Sequence, residues 1–123
     1  MATLVKQFMI LQTRGFLYDI PEDQQVKVME LATRTFRPPC DMVVFKLISN
    51  PPQPHETETV QYEDEGRTGV YHVRGLPKKV YAKLDDYGEP AKWNEMYEKE
   101  VANELRKAPN CRFTITFMLA EDY

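Results

Sequence analysis

Prolines set the limits of the regular elements this chain can form. A proline lacks the backbone donor that helices and central strands need, so it belongs in first turns and connections. Pro21 suits the first turn of a helix, with Glu22 and Asp23 where the amino-end dipole favours negative charge. Pro38 and Pro39 end that helix, and Pro90 and Pro109 bracket a second one. Between the two lies "NPPQPHETE", residues 50–58, where three prolines among polar residues cannot join a helix or a central strand. It reads as a surface connection.

Hydrophobic periodicity fills in the rest. Residues 3–12 read as a first strand whose apolar residues (Leu4, Val5, Phe8, Met9, Ile10, Leu11) occupy both parities, so both faces are at least partly covered. Val26, Met29, Ala32 or Thr33, and Phe36 keep a helical period through the first helix. "DMVVFKLIS", residues 41–49, is β-branched and aromatic-rich and reads as a second strand. Residues 58–64 and 69–75 form a hairpin, and 79–84 an added short edge strand. A second helix spans about Pro90 to Lys107, with Trp93, Met96, Tyr97, Val101, Leu105 and Ala108 on one stripe. "CRFTITFML" alternates Phe113, Ile115, Phe117 and Leu119 against Arg112, Thr114 and Thr116, a last strand. The order β-α-β-β-β-α-β predicts a single α+β domain over 1–123. Its expected form is a two-layer sandwich, a mostly antiparallel sheet with two helices, as a ferredoxin-like variant.

Bulk properties exclude several functional classes. At 42% apolar and 28% charged, the composition is that of a globular chain rather than a disordered one. A net charge of -3 supplies no field toward nucleic acid or an anionic membrane, and is too small for a polyanionic mimic of DNA. Cys40 and Cys111 lie too far apart for a metal motif, and two cysteines do not make a disulfide framework. They read as reduced, half-buried thiols. "MATLVKQFMILQ" is too short for a membrane span and lacks a signal-peptide cleavage pattern. The expected location is the cytoplasm, or the host cytoplasm if the source is viral.

"QYEDEGRTGVYHVRG", residues 61–75, places Glu63, Asp64 and Glu65 before Gly66, and Arg67, His72 and Arg74 after it. With Gly66 and Arg67 as a two-residue tip, Tyr62 faces Tyr71 and Gln61 faces His72. Val60, Tyr62, Tyr71 and Val73 then share one face, read as core. Glu63, His72 and Arg74 share the other, with Glu63 diagonal to His72. Extended across the sheet, that polar face includes Lys46, Arg112, Thr114 and Thr116. The outward parity of strand one, either Phe8 and Ile10 or Met9 and Leu11, adds an apolar centre. An apolar centre with a charged rim is expected of a partner or self-association interface.

"YDIPED", Tyr18 to Asp23, following a strand, resembles the strand-end aspartate of the small CRISPR-associated adaptation nucleases, which are also ferredoxin-like. The resemblance covers those six residues, and Gly15 interrupts the path from strand one to Asp19. Asp19 is more simply a helix cap. "KLDDYGE" lacks the spacing of a calcium loop. Arg74, Lys78, Lys79 and Lys83 form a basic cluster, but Asp85, Asp86 and Glu89 follow at once.

The leading expectation is a small non-enzymatic protein that binds another protein as a regulator, inhibitor or assembly factor, with a homodimer as one form. Its partner-binding residues are Glu63, Arg67, His72, Arg74, Lys46 and Arg112. No catalytic residue, cofactor or metal site is expected. The second reading is a module for RNA or single-stranded nucleic acid that stacks bases on Tyr62 and Tyr71, beside His72 and Arg74. The third is a small enzyme with a His72–Glu63 dyad in a pocket.

Overall fold

The computed structural model describes residues 8–56, 58–86, 98–99 and 113–123. The second helix expected over Pro90 to Lys107, the thiol of Cys111 and the candidate residue Arg112 lie outside the described residues. Six strands form one mixed sheet: β1 (Phe8–Gln12), β2 (Met42–Leu47), β3 (Gln61–Glu63), β4 (Thr68–Val73), β5 (Val80–Asp86) and β6 (Phe113–Leu119). Two helices, α1 (Arg14–Asp19) and α2 (Glu22–Thr35), separate β1 from β2. The class is α+β.

The strand order is β1-β6-β5-β2-β4-β3, with β1–β6 and β2–β4 parallel and the other three pairs antiparallel. The ferredoxin-like order expected from the sequence is not confirmed. The 79–84 segment is also no edge strand: β5 lies inside the sheet between β6 and β2. Val80 and Ala82 are fully buried while Tyr81 and Lys83 point the other way, an alternation that edge and interior strands share, so the pairing partners alone decide the position.

Both helices pack on one face. The core joins Phe16 of α1, Ile20 at its C-cap, and Val28 and Ala32 of α2 to Val43, Phe45, Tyr71, Val80, Ile115 and Phe117 of the sheet. Each large apolar side chain fully removed from water there contributes about 1.5–3 kcal/mol. Phe113, Ile115, Phe117 and Leu119 share this face through their pairing with β5, matching the alternation of the last strand.

The buried stripe of α2 is Val28, Ala32 and Thr35, whereas Val26 is 48% exposed. The stripe expected through Val26 is therefore rotated. Thr35 fixes the phase: its hydroxyl donates to the Leu31 carbonyl at 2.7 Å and meets the Tyr71 hydroxyl at 2.8 Å. Pro21 occupies the N-cap, with Glu22 and Asp23 in the first turn.

α1 was not expected. Thr13 caps it by accepting a hydrogen bond from the Phe16 amide at 3.3 Å, and Phe16 packs against Phe117 with ring centroids 5.7 Å apart. A threonine three residues ahead of a buried aromatic is the local signal for this turn. Asp19 ends α1 rather than capping a helix, and its carboxylate is paired with Lys78 at 2.9 Å.

Candidate functional site

The other sheet face carries neither α1 nor α2, and the strand registers place its side chains in rows. Met118, Tyr81, Val44 and Val70 are direct neighbours across β6, β5, β2 and β4. Val70 and Met118 are buried, and Val44 and Tyr81 are half-buried. On one side of this apolar row run Thr116, Lys83, Met42, Thr68 and Glu63. On the other side Lys46 pairs with His72, and the β2–β5 ladder ends at Phe45 and Val80. The outward parity of β1 is Met9 and Leu11, paired with Thr114 and Thr116, and Leu11 is exposed.

Cations and aromatic rings interleave at the β5 side. Lys79 Nζ lies 5.5 Å from the centroid of the Tyr81 ring, within the range where the ring quadrupole attracts a cation. The Tyr123 ring meets Tyr81 edge-on at 5.4 Å, and Lys83 Nζ lies 6.0 Å from Tyr123. Lys83 is also 3.9 Å from Asp85, whereas Lys46 and Lys79 take part in no ion pair among the described residues. Alternation already marks this set in the sequence: in "KVYAK", Lys79, Tyr81 and Lys83 occupy one parity and Val80 and Ala82 the other. Tyr81, Tyr123, Val44 and Met118 were not singled out in the sequence.

His72 sits at the opposite corner. It is 8% exposed, not a surface residue, and His55 meets its ring edge-on at 5.7 Å. The 50–58 connection is pinned twice. The Glu56 carboxylate accepts from the Ser49 amide, and Gln61 Nε2 donates to the His55 carbonyl at 2.9 Å. Hydrogen bonds from Ser49, side chain first and then backbone, hold the Glu56 carboxyl below its ordinary range. Burial opposes them, and the Gln53 amide and the charge of His72 add smaller contributions.

The predicted hairpin register is displaced by two residues. Gln61 faces Val70, Tyr62 faces Gly69 and Glu63 faces Thr68. The reason is the tip: Asp64–Gly66 forms a 3-10 turn in which Asp64, Glu65 and Gly66 have φ of 52, 55 and 87. A shift of two preserves the faces, so Tyr62 still shares a side with Tyr71, but it separates Glu63 from His72. Those residues now lie four positions apart along the ladder, about 13 Å. The carboxylate near His72 belongs to Glu56 instead.

The two tyrosines part company. Tyr71 is 6% exposed, stacked on Phe45 at 5.6 Å and bonded to Thr35. Tyr62 is 56% exposed, because the side chain opposite it is Gly69 and β3 is the sheet edge. Of the candidate residues, Lys46 and His72 are neighbours, and Glu63 shares their face at its other end. Arg67 lies in the tip, where its carbonyl accepts from the Asp41 amide. Arg74 lies beyond β4, its amide donating to Glu58 at 3.4 Å.

Two clefts accompany these rows. One of about 380 Å³ is lined by Phe36, Pro39, Cys40 and Leu84, among others, with Asp86 and Phe113 at its rim; a second, of about 280 Å³, lies between Lys78, Lys79 and the chain at Leu119–Glu121. Neither is lined by His72. Burial pushes the Cys40 thiol above its ordinary range, a poor state for a nucleophile. Among the described residues, no three His, Cys, Asp or Glu side chains group closely enough to hold a metal ion, and no helix is long and apolar enough to cross a membrane. Comparison with known proteins finds no matching family model, no similar curated protein and no similar solved structure, so the reading of this face rests on its own geometry.

Proposed function

We propose that this chain is a non-enzymatic protein-binding module, acting as a regulator, inhibitor or assembly factor, and that it binds through the sheet face opposite α1 and α2. One observation carries the reading: the aligned row Met118–Tyr81–Val44–Val70, bordered by Lys79, Lys46 and Lys83, on a face that neither described helix covers. An apolar row with a polar and charged margin is the anatomy of a partner interface. The hairpin contributes Glu63 at the margin, paired with Thr68. The test compares capture of a partner from the native source by three forms of the chain. Wild type and Val26→Glu, altered on the exposed side of α2, should retain the partner, and Val44→Glu should lose it. Loss with Val26→Glu and retention with Val44→Glu would place the interface on the helices.

Single-stranded nucleic acid is the second reading, favoured by the two lysines against the Tyr81 and Tyr123 rings. It no longer rests on Tyr62 and Tyr71, since Tyr71 is core. Anisotropy of a labelled oligothymidylate at low salt decides it: salt-sensitive binding abolished by Tyr81→Ala would favour nucleic acid over a protein partner.

A further inference from the structure

We infer that the occupant of this face is an acidic segment of another protein, which sets carboxylates over Lys46 and Lys79 and apolar side chains over the row. The inference rests on the reading of the face as a protein-binding surface and states the chemistry of the partner.

The argument is the charge left without a partner on one side of the row. β5 runs antiparallel to β2 and β4 runs parallel to it. Lys79, Lys46 and His72 therefore stand on the same side of Tyr81, Val44 and Val70, each two residues along its own strand direction. The carboxylates nearest this side are already engaged. Glu121 lines a cleft with Lys79 but is paired with Lys78 at 3.2 Å, and Glu56 accepts from the Ser49 amide. Lys46 and Lys79, both half-buried, take part in no ion pair among the described residues. His72 is buried with His55 against its ring, so the two lysines are the cations this side offers. On the opposite side of the row, Lys83 already has Asp85 at 3.9 Å, and Glu63 stands at the margin.

The Tyr81 ring holds Lys79 Nζ at 5.5 Å, which keeps that charge beside the apolar row. A carboxylate reaching it there makes a charge-assisted hydrogen bond at a place that the partner's apolar side chains shield from water. Carboxylates fit this face better than phosphates do. A polyanion spanning the face would also meet Asp85 and Glu63, and the net charge of -3 opposes its approach. Met118, Val44 and Val70 are aliphatic, which suits apolar side chains better than stacked bases.

The probe is a random peptide display library, panned at low salt on the full chain and its variants. Peptides that bind wild type and Val26→Glu but not Val44→Glu are those seated on this face. They should be enriched in Asp and Glu beside apolar residues. One of them, made synthetically, should bind Lys46→Glu/Lys79→Glu at least about tenfold more weakly than wild type. Panning on Lys46→Glu/Lys79→Glu should turn the selection toward Lys and Arg. Matching urea midpoints show that the folds are intact, and Tyr81→Ala serves as a second disruption of the row if Val44→Glu lowers its midpoint. Val44-dependent peptides that are neutral or basic, or that bind the reversed variant as tightly as wild type, overturn the inference and leave the protein-binding reading standing. A library that yields no Val44-dependent peptide removes both. A labelled oligothymidylate whose binding is lost with Val44→Glu puts nucleic acid on the face instead. A doubled mass by light scattering that Val44→Glu returns to monomer puts a second copy there. Either result overturns the inference.

Discussion

The bond between Thr35 and Tyr71 joins α2 to the sheet, and its polarity can be worked out from the geometry. A threonine hydroxyl has one hydrogen, and Thr35 gives it to the Leu31 carbonyl at 2.7 Å. At the 2.8 Å contact with Tyr71, Thr35 is therefore the acceptor and the tyrosine the donor. The two ends then respond differently to deletion. Tyr71→Phe removes a donor and leaves Thr35 still bonded to Leu31, so the cost is that of one neutral hydrogen bond, about 1 kcal/mol. Thr35→Val leaves the buried Tyr71 hydroxyl with nothing to donate to, a cost of about 2 kcal/mol within the usual 1–3. Adding Tyr71→Phe to Thr35→Val removes the orphaned donor and should restore part of the loss. With a urea m-value of about 1.5 kcal/mol/M, the midpoints should fall by about 0.7 M for Tyr71→Phe and about 1.3 M for Thr35→Val, with the double variant between them. If Tyr71 instead lay on an open stacking face, all three would unfold with wild type. A double variant less stable than Thr35→Val would refute the assigned polarity.

Three further expectations come from other parts of the fold. A Cβ on Gly69 would stand 2.9 Å from Thr35 Cγ2 and 3.2 Å from Val60 Cγ2, so Gly69→Ala should cost about 1–3 kcal/mol by overpacking, read as a lowered urea midpoint. A midpoint equal to wild type would mean that α2 does not press on β4 there. The Glu58 carboxyl is held below its ordinary range, first by its hydrogen bond with Lys27 at 2.5 Å. A depressed folded pKa gives stability that is present above the unfolded value, about pH 4.3, and lost as pH falls through the folded one. The thermal midpoint of Lys27→Met should therefore fall less than that of wild type between pH 6 and pH 3, and parallel curves would contradict the pairing. In a Cys111→Ser background, Cys40, buried and with its thiol pushed up, should react with a disulfide reagent far more slowly than a free thiol at pH 8. Reaction at the free-thiol rate would show that the thiol is open to solvent.

Much of the architecture was legible because strands and helices announce themselves through period and punctuation. The first helix was legible as an element because prolines stand near both ends. The expected segment, 18–36, nevertheless runs across the break at Ile20 and Pro21 that separates α1 from Glu22–Thr35. The alternation of the last strand sorted its two faces correctly. Strand order was not legible, because β5 reads alike as an edge or an interior strand until its neighbours are known. The hairpin register failed on a local detail: a tip with Asp64 and Glu65 in the left-handed region is not the turn that glycine in "EGRT" suggests. That two-residue error was enough to pair Glu63 with His72 when they lie far apart. Lys46 was correctly sided with His72, but the aromatic part of the face was misplaced. Tyr62 and Tyr71 drew attention because they flank a charged stretch, while Tyr81 sits in a plain alternation whose partner, Tyr123, is 42 residues away in sequence and adjacent only in space.

The central claim is that the face bearing Val44 and Tyr81, and not the helical side, is where this chain meets a partner. Hydroxyl-radical footprinting of side chains, on the free chain and on its complex, reads this most directly. In the free chain Met42, Leu11 and Tyr81 should be oxidised while Phe45 and Phe117 are spared, in line with their exposure. On complex formation Met42 and Tyr81 should become protected, with Leu17 and Tyr18 of α1 unchanged. Protection confined to Leu17, Tyr18 and Val26, with Met42 and Tyr81 still reactive, would contradict the account.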